Sequence, residues 1–280
     1  MNHPNLVEIY PGVWIPPLHI LDLFSGLHGW SADAEAKGHI VRRVEWNADM
    51  VADLHADMMT VSVDDLLDLF PERRIDLVLA SPPCTCFSVA SIGHHWTGGK
   101  NAYVPKTVEA KKAIKLIKHT INLIEGINPR FWWLENPRGV LRNLNLIPNT
   151  WSHATVWYCM YGEPRAKPTD LWGRWPRAWI PRPECRNYRY DQQGNLHSPH
   201  LYACGGFHEE APAGAKTGTQ GLAGNAERSV IPSGLAISVL NSVERTFAQP
   251  WESDNVQLVP PTHGSRIGFT EWFPSNDSEE

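Results

Sequence analysis

Ile20-Leu21-Asp22-Leu23-Phe24-Ser25-Gly26-Leu27-His28-Gly29 is the stretch whose reading decides the fold. Its first five residues form an apolar run broken only by Asp22, short enough for a buried strand, and Ser25-Gly26 ends it in a tight turn. Glycine in such a turn lets the backbone approach a ligand closely. Ile40–Trp46 and Asp76–Ala80 read as two further strands, the second stopped by Ser81-Pro82-Pro83. Thr107–Gly126 carries Ile114, Ile117, Ile121 and Ile124 at helical spacing, with Gly126 as its stop. Phe131–Leu134, stopped near Pro137, and Thr155–Tyr161 supply a fourth and a fifth strand. Strands alternating with helices predict a largely parallel sheet with both faces covered. Ligands of such a sheet sit at the carboxyl ends of its strands.

The alternation stops near Tyr161. From there to Gly221 proline, glycine, arginine and tryptophan dominate and no long helix is evident. Residues 227–247 return to helical spacing, with Ile231, Leu235, Val239 and Val243 on one side. The sequence from Gln249 is rich in proline, serine and acids and reads as a loosely held tail. These breaks predict a main α/β domain over 17–161, a small irregular region over 162–221, a returning helix over 222–248 and a tail over 249–280.

The 280 residues carry five cysteines, too few for a disulfide scaffold, so a reducing, cytoplasmic setting is expected. No run approaches 18 apolar residues, and no basic segment leads into an apolar one at the N-terminus. Neither a membrane span nor a secretory signal is expected. A formal charge of −5 hides an asymmetry. Nine acidic residues fall between Glu45 and Asp76. Seven basic ones fall between Arg165 and Arg189, interleaved with Trp172, Trp175, Trp179, Tyr188 and Tyr190. Arginine among aromatics reads as a nucleic-acid surface. A second basic run, Lys100 to Lys118, is equally well a solvated helix face.

Two further motifs carry chemistry. Ser81-Pro82-Pro83-Cys84-Thr85-Cys86-Phe87-Ser88 presents a cysteine at a strand end, stiffened by two prolines. That suits a nucleophile, although a cysteine in a turn also serves as a small hydrophobe. Leu134-Glu135-Asn136-Pro137-Arg138-Gly139 places a carboxylate at another strand end, where burial would raise its pKa toward that of a usable acid. The plainer alternative is a glutamate paired with Arg138.

Together and in this order, Asp22-Leu23-Phe24-Ser25-Gly26-x-x-Gly29, Pro83-Cys84-x-x-Phe87-Ser88 and Glu135-Asn136-Pro137 resemble the cytosine-C5 DNA methyltransferase family. The resemblance spans roughly Ile20 to Tyr161, with a looser match at a closing helix near 224–240. The phrasing around Val89–Trp96, Glu135–Gly139 and Lys167–Trp172 is similar to short members found in phages.

The resemblance implies a Rossmann-like S-adenosylmethionine-dependent methyltransferase sheet with a small irregular target-recognition region. It implies that Cys84 adds to C6 of a flipped cytosine and that Glu135 acts at N3. The loop Thr85–Pro105 would close over the base, with Gly98 and Gly99 as hinges. The donor site would comprise Asp22, Phe24, Ser25, Gly26 and Gly29, the Glu45-Trp46 pair for ribose and adenine, Asp57 near the adenine edge, and Pro82.

Two positions depart from the family pattern. Its Gln-x-Arg-x-Arg after Tyr-Gly-x-Pro becomes Arg165-Ala166-Lys167-Pro168-Thr169, so Arg165 and Lys167 are the expected contacts to the cytosine carbonyl or flanking phosphates. Its closing Gly-Asn-Ser-Val fits two registers, one keeping Asn225, the other Ser229 with Arg228 in the asparagine position. An arginine there can grip a carboxylate. The partner is the ordinary donor's carboxylate, a loop carbonyl, a DNA phosphate, or the extra carboxylate of carboxy-S-adenosylmethionine, which would yield 5-carboxymethylcytosine. Cys185, His197, His200, Cys204 and His208 add the expectation of a structural zinc, though their spacing matches no tight pattern.

The expected partner is double-stranded DNA, read at about two to four base pairs because the recognition region is small. No obligate protein partner is implied, and a phage-encoded member would act in the host cytoplasm. Three other readings compete: the same chemistry on RNA, a catalytically silent DNA-binding protein, and a free-nucleotide methylase.

Overall fold

The computed structural model describes residues 5–98, 102–163, 167–184 and 229–249, with two-residue strands at 189–190, 196–197 and 256–257. A hairpin, β1 (Val7–Tyr10) and β2 (Val13–Ile15), opens the chain. β3 (His19–Leu23), α1 (Ala32–Lys37), β4 (Ile40–Glu45), β5 (Leu54–His55), α2 (Val63–Leu67) and β6 (Leu77–Ala80) follow. Next come α3 (Ile92–His95), the short strands β7 (Trp96–Thr97) and β8 (Val104–Pro105), α4 (Val108–Ile127) and β9 (Phe131–Pro137). β10 (Ser152–Trp157), β11 (Pro168–Pro176), β12 (Arg189–Tyr190), β13 (Leu196–His197), α5 (Ser233–Ala248) and β14 (Val256–Gln257) complete it.

The main sheet has the order β10-β11-β9-β6-β3-β4-β5, with β14 also against β11. The run from β9 to β5 is parallel, and β11 is antiparallel to both neighbours. The result is a Rossmann-like α/β fold. Every residue of β3 and β6 is buried, as expected of parallel strands covered on both faces.

Alternate strand residues feed two cores. Ile20, Leu79, Trp133 and Leu171 pack with Leu235, Val239 and Val243 of α5. Leu21, Val78, Leu134 and Trp172 pack with Ile117, Ile121 and Ile124 of α4. Thr107 caps α4 by accepting from Ala110 N, and Asn128 ends it at a φ of 50°, a left-handed turn that asparagine tolerates. The Glu244 carboxylate of α5 is fully buried and accepts from Lys37 Nζ and from His39 Nε2, each at 2.9 Å. His39 Nδ1 in turn accepts from Leu18 N at 3.1 Å. That contact fixes the tautomer that donates to Glu244.

Residues 168–176 depart from the irregular structure expected of them. They form β11, a nine-residue strand lying between the edge strand β10 and β9. Trp172, Trp175 and Trp179 are buried rather than arrayed on a surface. Trp175 stacks on Trp133 with centroids 5.9 Å apart, and Trp179 meets the same ring edge-on. The arginine–tryptophan pattern is therefore largely core chemistry. Arg174 lies over Trp132, and the Arg182 guanidinium donates to the Met160 carbonyl while its backbone N–H donates to the Tyr161 hydroxyl. The expected strand Thr155–Tyr161 ends early, at Trp157, and Tyr158–Tyr161 winds into a 3-10 turn. Cys185, His200, Cys204 and His208 lie outside the described residues. His197 sits in β13, and no group of potential metal ligands occurs among the described residues. No helix among them is long and apolar enough to cross a membrane.

Candidate active site

The carboxyl ends of β3, β4, β6 and β9 meet at one edge of the sheet. The turn after β3 is wound tightly: Phe24, Gly26 and His28 have φ of 61°, 47° and 61°. Left-handed backbone at Phe24 and His28 is uncommon for side chains of that size. Phe24 N and Ser25 N both donate to the Val44 carbonyl, which ties this turn to β4. Glu45 then joins the two strand ends, its Oε2 accepting from Gly26 N and its Oε1 from Trp46 N and Asn47 N. The next residue, Trp46, is 73% exposed. Core packing of its indole is thereby excluded.

Beneath this turn Asp22 is buried, accepting from Ser31 Oγ at 2.6 Å through Oδ2. Burial pushes its pKa up to about 7, against the pull of Ser31 and Arg43. Its Oδ1 and the Ser25 hydroxyl are buried without a hydrogen-bond partner. Such orphaned polar atoms fit a site completed by a polar ligand. The backbone of Ile231 lies against Gly29, where a Cβ would stand 2.7 Å from Ile231 N. The segment that opens with Ser229 thus reaches the turn. Asp57 is exposed, and its Oδ1 caps a 3-10 turn through Met59 N. Asn225 and Arg228 lie outside the described residues.

The loop after β6 is gripped at three points. Asn136 Nδ2 donates to the Pro82 carbonyl at 3.0 Å, Trp96 Nε1 to the Cys86 carbonyl at 2.6 Å, and Val140 N to the Phe87 carbonyl at 2.8 Å. Phe87 and Trp96 are buried, so the segment Thr85–Pro105 is anchored at its middle and any hinge is left to its tip. Gly98, at a φ of 87°, is described there, and Gly99 lies outside the described residues. Pro82 is buried, while Cys84 is half-buried and Cys86 buried. Burial raises the Cys86 thiol, which disfavours its thiolate and leaves Cys84 as the usable nucleophile.

Glu135, near the end of β9, is almost completely buried. Arg138 is not its partner; that guanidinium lies over Trp157. The Tyr158 hydroxyl donates to Glu135 Oε1 at 2.9 Å, and the Ser81 hydroxyl also bonds the carboxyl. Lys167 Nζ stands 4.0 Å from Oε1 and 4.5 Å from the Tyr158 ring. Burial pushes the Glu135 carboxyl upward, opposed by Lys167, Tyr158 and Ser81. Tyr158 is held well above the usual phenol range by burial and by Glu135, with Cys84 adding to the effect. Cys84, Glu135 and Lys167 are therefore brought together around Tyr158, whereas Arg165 lies outside the described residues. The sequence reading missed Tyr158. It sits 23 residues from Glu135, and no spacing rule links them.

The family described as C-5 cytosine-specific DNA methylase matches residues 18–154. A probable DNA (cytosine-5)-methyltransferase of Frog virus 3 (isolate Goorha) is 30% identical over 176 residues, covering 61% of this chain and 78% of that protein. A type II methyltransferase of Haemophilus parahaemolyticus is 28% identical over 135 residues, covering 44% and 33%. A solved structure of a putative DNA modification methyltransferase from an E. coli prophage superposes with a TM-score of 0.41 at 21% identity, covering 56% of this chain and 46% of that one. The chain thus spans most of the viral relative, a third of the Haemophilus protein and under half of the prophage structure.

Proposed function

The chain belongs to the C-5 cytosine-specific DNA methylase family, whose methyl donor is S-adenosylmethionine, and we propose that it methylates C5 of cytosine in duplex DNA through Cys84. The observation that carries this reading is the grouping of Cys84 and Glu135, at the carboxyl ends of the adjacent parallel strands β6 and β9, with Tyr158 after β10 and Lys167 before β11.

Cytosine C5 is a poor nucleophile. The Cys84 thiolate adds to C6, forming a sulfur–carbon bond and moving the ring electrons so that C5 becomes nucleophilic. Glu135 supplies the proton that N3 takes as the electrons shift. Burial raises its pKa and so favours the protonated form that donates. After C5 has gained its methyl group, water takes the C5 proton, N3 returns its proton to the Glu135 carboxylate, and the sulfur–C6 bond breaks, freeing the Cys84 thiolate and restoring the ring. A carboxyl this deeply buried cannot meet a stacked base, so the cytosine enters flipped out of the helix.

The donor fits beside the turn after β3. Trp46 offers an exposed indole for the adenine, Glu45 a carboxylate for the ribose hydroxyls, and Ser25 and Asp22 unpartnered oxygens. Gly26, Phe24 and Gly29 shape the turn, with Pro82 and Asp57 at its borders. When bound there, S-adenosylmethionine supplies an electrophilic methyl group on a sulfonium. Target recognition falls to the part of residues 162–221 that follows β11. Arg165 and Lys167 grip the base or its phosphates, and Asn225, Arg228 and Ser229 close the donor site.

Nucleoside mass spectrometry of mixed-sequence duplex DNA, incubated with the protein and S-adenosylmethionine, tests the reading. 5-Methylcytosine is expected with the intact protein and not with Cys84→Ala. Equal product from the variant removes the covalent mechanism. Transfer RNA in place of duplex DNA tests the substrate. Carboxy-S-adenosylmethionine in place of the ordinary donor tests the donor.

A further inference from the structure

We propose that Tyr158 is the positioning residue that orients Glu135 for proton transfer, a role that rests on the cytosine-C5 reading above. Tyr158 and Glu135 are both buried, and the phenol donates to one named oxygen, Oε1, at 2.9 Å. In a protonated carboxyl the carbonyl oxygen is a better acceptor than the hydroxyl oxygen, so a bond to one oxygen favours the acidic proton on the other. Tyr158 therefore directs the proton of Glu135 to Oε2. Trp30 Nε1 donates to Ser81 Oγ at 2.8 Å, so the Ser81 hydroxyl hydrogen is free to point at Glu135. Two neutral hydroxyl donors thus converge on one carboxyl and stabilise the anion left once its proton has gone to the base.

The groups that face Glu135 come from several elements. Ser81 follows β6, Tyr158 follows β10, and Lys167 and Asp170 flank it from the β11 side. Cys84 acts on Tyr158 from its own loop. Lys167 is partly exposed and only approaches Oε1, at 4.0 Å. Tyr158 makes the closer contact, and its ring lies 4.5 Å from the Lys167 ammonium. The phenol is thereby the hinge between cation and carboxyl.

The test compares wild type with Tyr158→Phe in steady-state methyl transfer to a cytosine-containing duplex across pH. Phenylalanine keeps the ring under Lys167 and removes only the hydroxyl. The expected result is a loss of about tenfold in kcat, the cost of one hydrogen bond to a charged group, with the donor KM unchanged. The alkaline limb of the profile should move to higher pH, because the carboxylate loses a donor. A second variant with 3-fluorotyrosine at position 158 keeps the bulk, strengthens the donor and should move that limb to lower pH. Wild-type kcat and an unmoved limb in either variant overturn the proposal. Failure of the underlying reading looks different: the unmodified protein would make no 5-methylcytosine, whatever stands at position 158.

Discussion

The carbonyl oxygen of Phe87 lies 2.1 Å from where a Cβ on Gly139 would stand. The loop that carries Cys84 and the turn that follows Glu135 therefore pack backbone on backbone. Neither side can yield by rotating a side chain. Gly139→Ala should lower stability by about 2 kcal/mol, as overpacking does in tight cores. It should also lower kcat, because the relief displaces the nucleophile. Thermal unfolding and steady-state kinetics check both, and wild-type values for the variant would mean that the loop is held elsewhere.

The two cysteines of Cys84-Thr85-Cys86 should separate cleanly. Cys84→Ala should reduce turnover by more than about a thousandfold, the scale seen when a nucleophile is removed. Donor affinity should stay unchanged by calorimetry. Cys86→Ala empties a small buried volume and should cost about 1 kcal/mol of stability, with turnover largely retained. If Cys86→Ala proves the inactive variant, the assignment of the nucleophile is reversed.

Trp46 is the most exposed of the aromatic side chains on the donor side. Trp46→Ala should weaken donor binding about tenfold or more, since stacking on an aromatic ring is worth about 1–3 kcal/mol. The melting temperature should not change, because an exposed side chain has little packing to lose. A variant with lower stability and unaltered donor KM would place this indole in a structural role.

Asp22 should leave a mark on stability as a function of pH. Its carboxyl stays protonated to about pH 7 in the native protein, whereas in the unfolded chain it ionises near pH 4. Between those values the native state holds the additional proton, so the contribution of Asp22 to stability falls as pH rises and is at its lowest above pH 7. Asp22→Asn cannot ionise, and its amide oxygen can still accept from Ser31. Urea unfolding of both proteins at pH 5 and pH 8 should show the variant gaining on wild type at pH 8 by an amount on the order of a few kcal/mol. An equal difference at the two pH values would show that the buried carboxyl is not what titrates.

Sequence alone located much of this architecture. The first three strands, expected at Ile20–Phe24, Ile40–Trp46 and Asp76–Ala80, lie within one residue of β3, β4 and β6. The long helix, expected at Thr107–Gly126, is displaced by one residue at each end. These elements are continuous apolar runs or regular 3.6-residue stripes bounded by glycine and proline, where local pattern and tertiary burial agree. β11 was illegible for the opposite reason. Its sequence, Pro-Thr-Asp-Leu-Trp-Gly-Arg-Trp-Pro, puts Asp170 and Gly173 inside a buried strand. Asp170 is tolerated because Arg142 and Thr155 donate to it. Gly173 is needed because a Cβ would stand 1.9 Å from the Trp132 carbonyl. Both reasons lie on neighbouring strands and are invisible along the chain. The same holds for the site: Cys84 and Glu135 announce themselves by motif, whereas Tyr158 acquires its role only when β10 is laid beside β11.

The ion cluster at Glu244 joins residues separated by 205 positions. The face of the sheet that α5 covers, with Ile20, Leu79 and Trp133 on it, therefore stays bare until residue 248 has left the ribosome. Closure of so distant a contact carries a large loop-entropy cost and makes for slow folding. A nonsense or frameshift mutation within α5 would spare every catalytic motif and should still yield an insoluble product, a client for chaperones and proteases. For the gene, the final codons of α5 are as vulnerable a target as the cysteine.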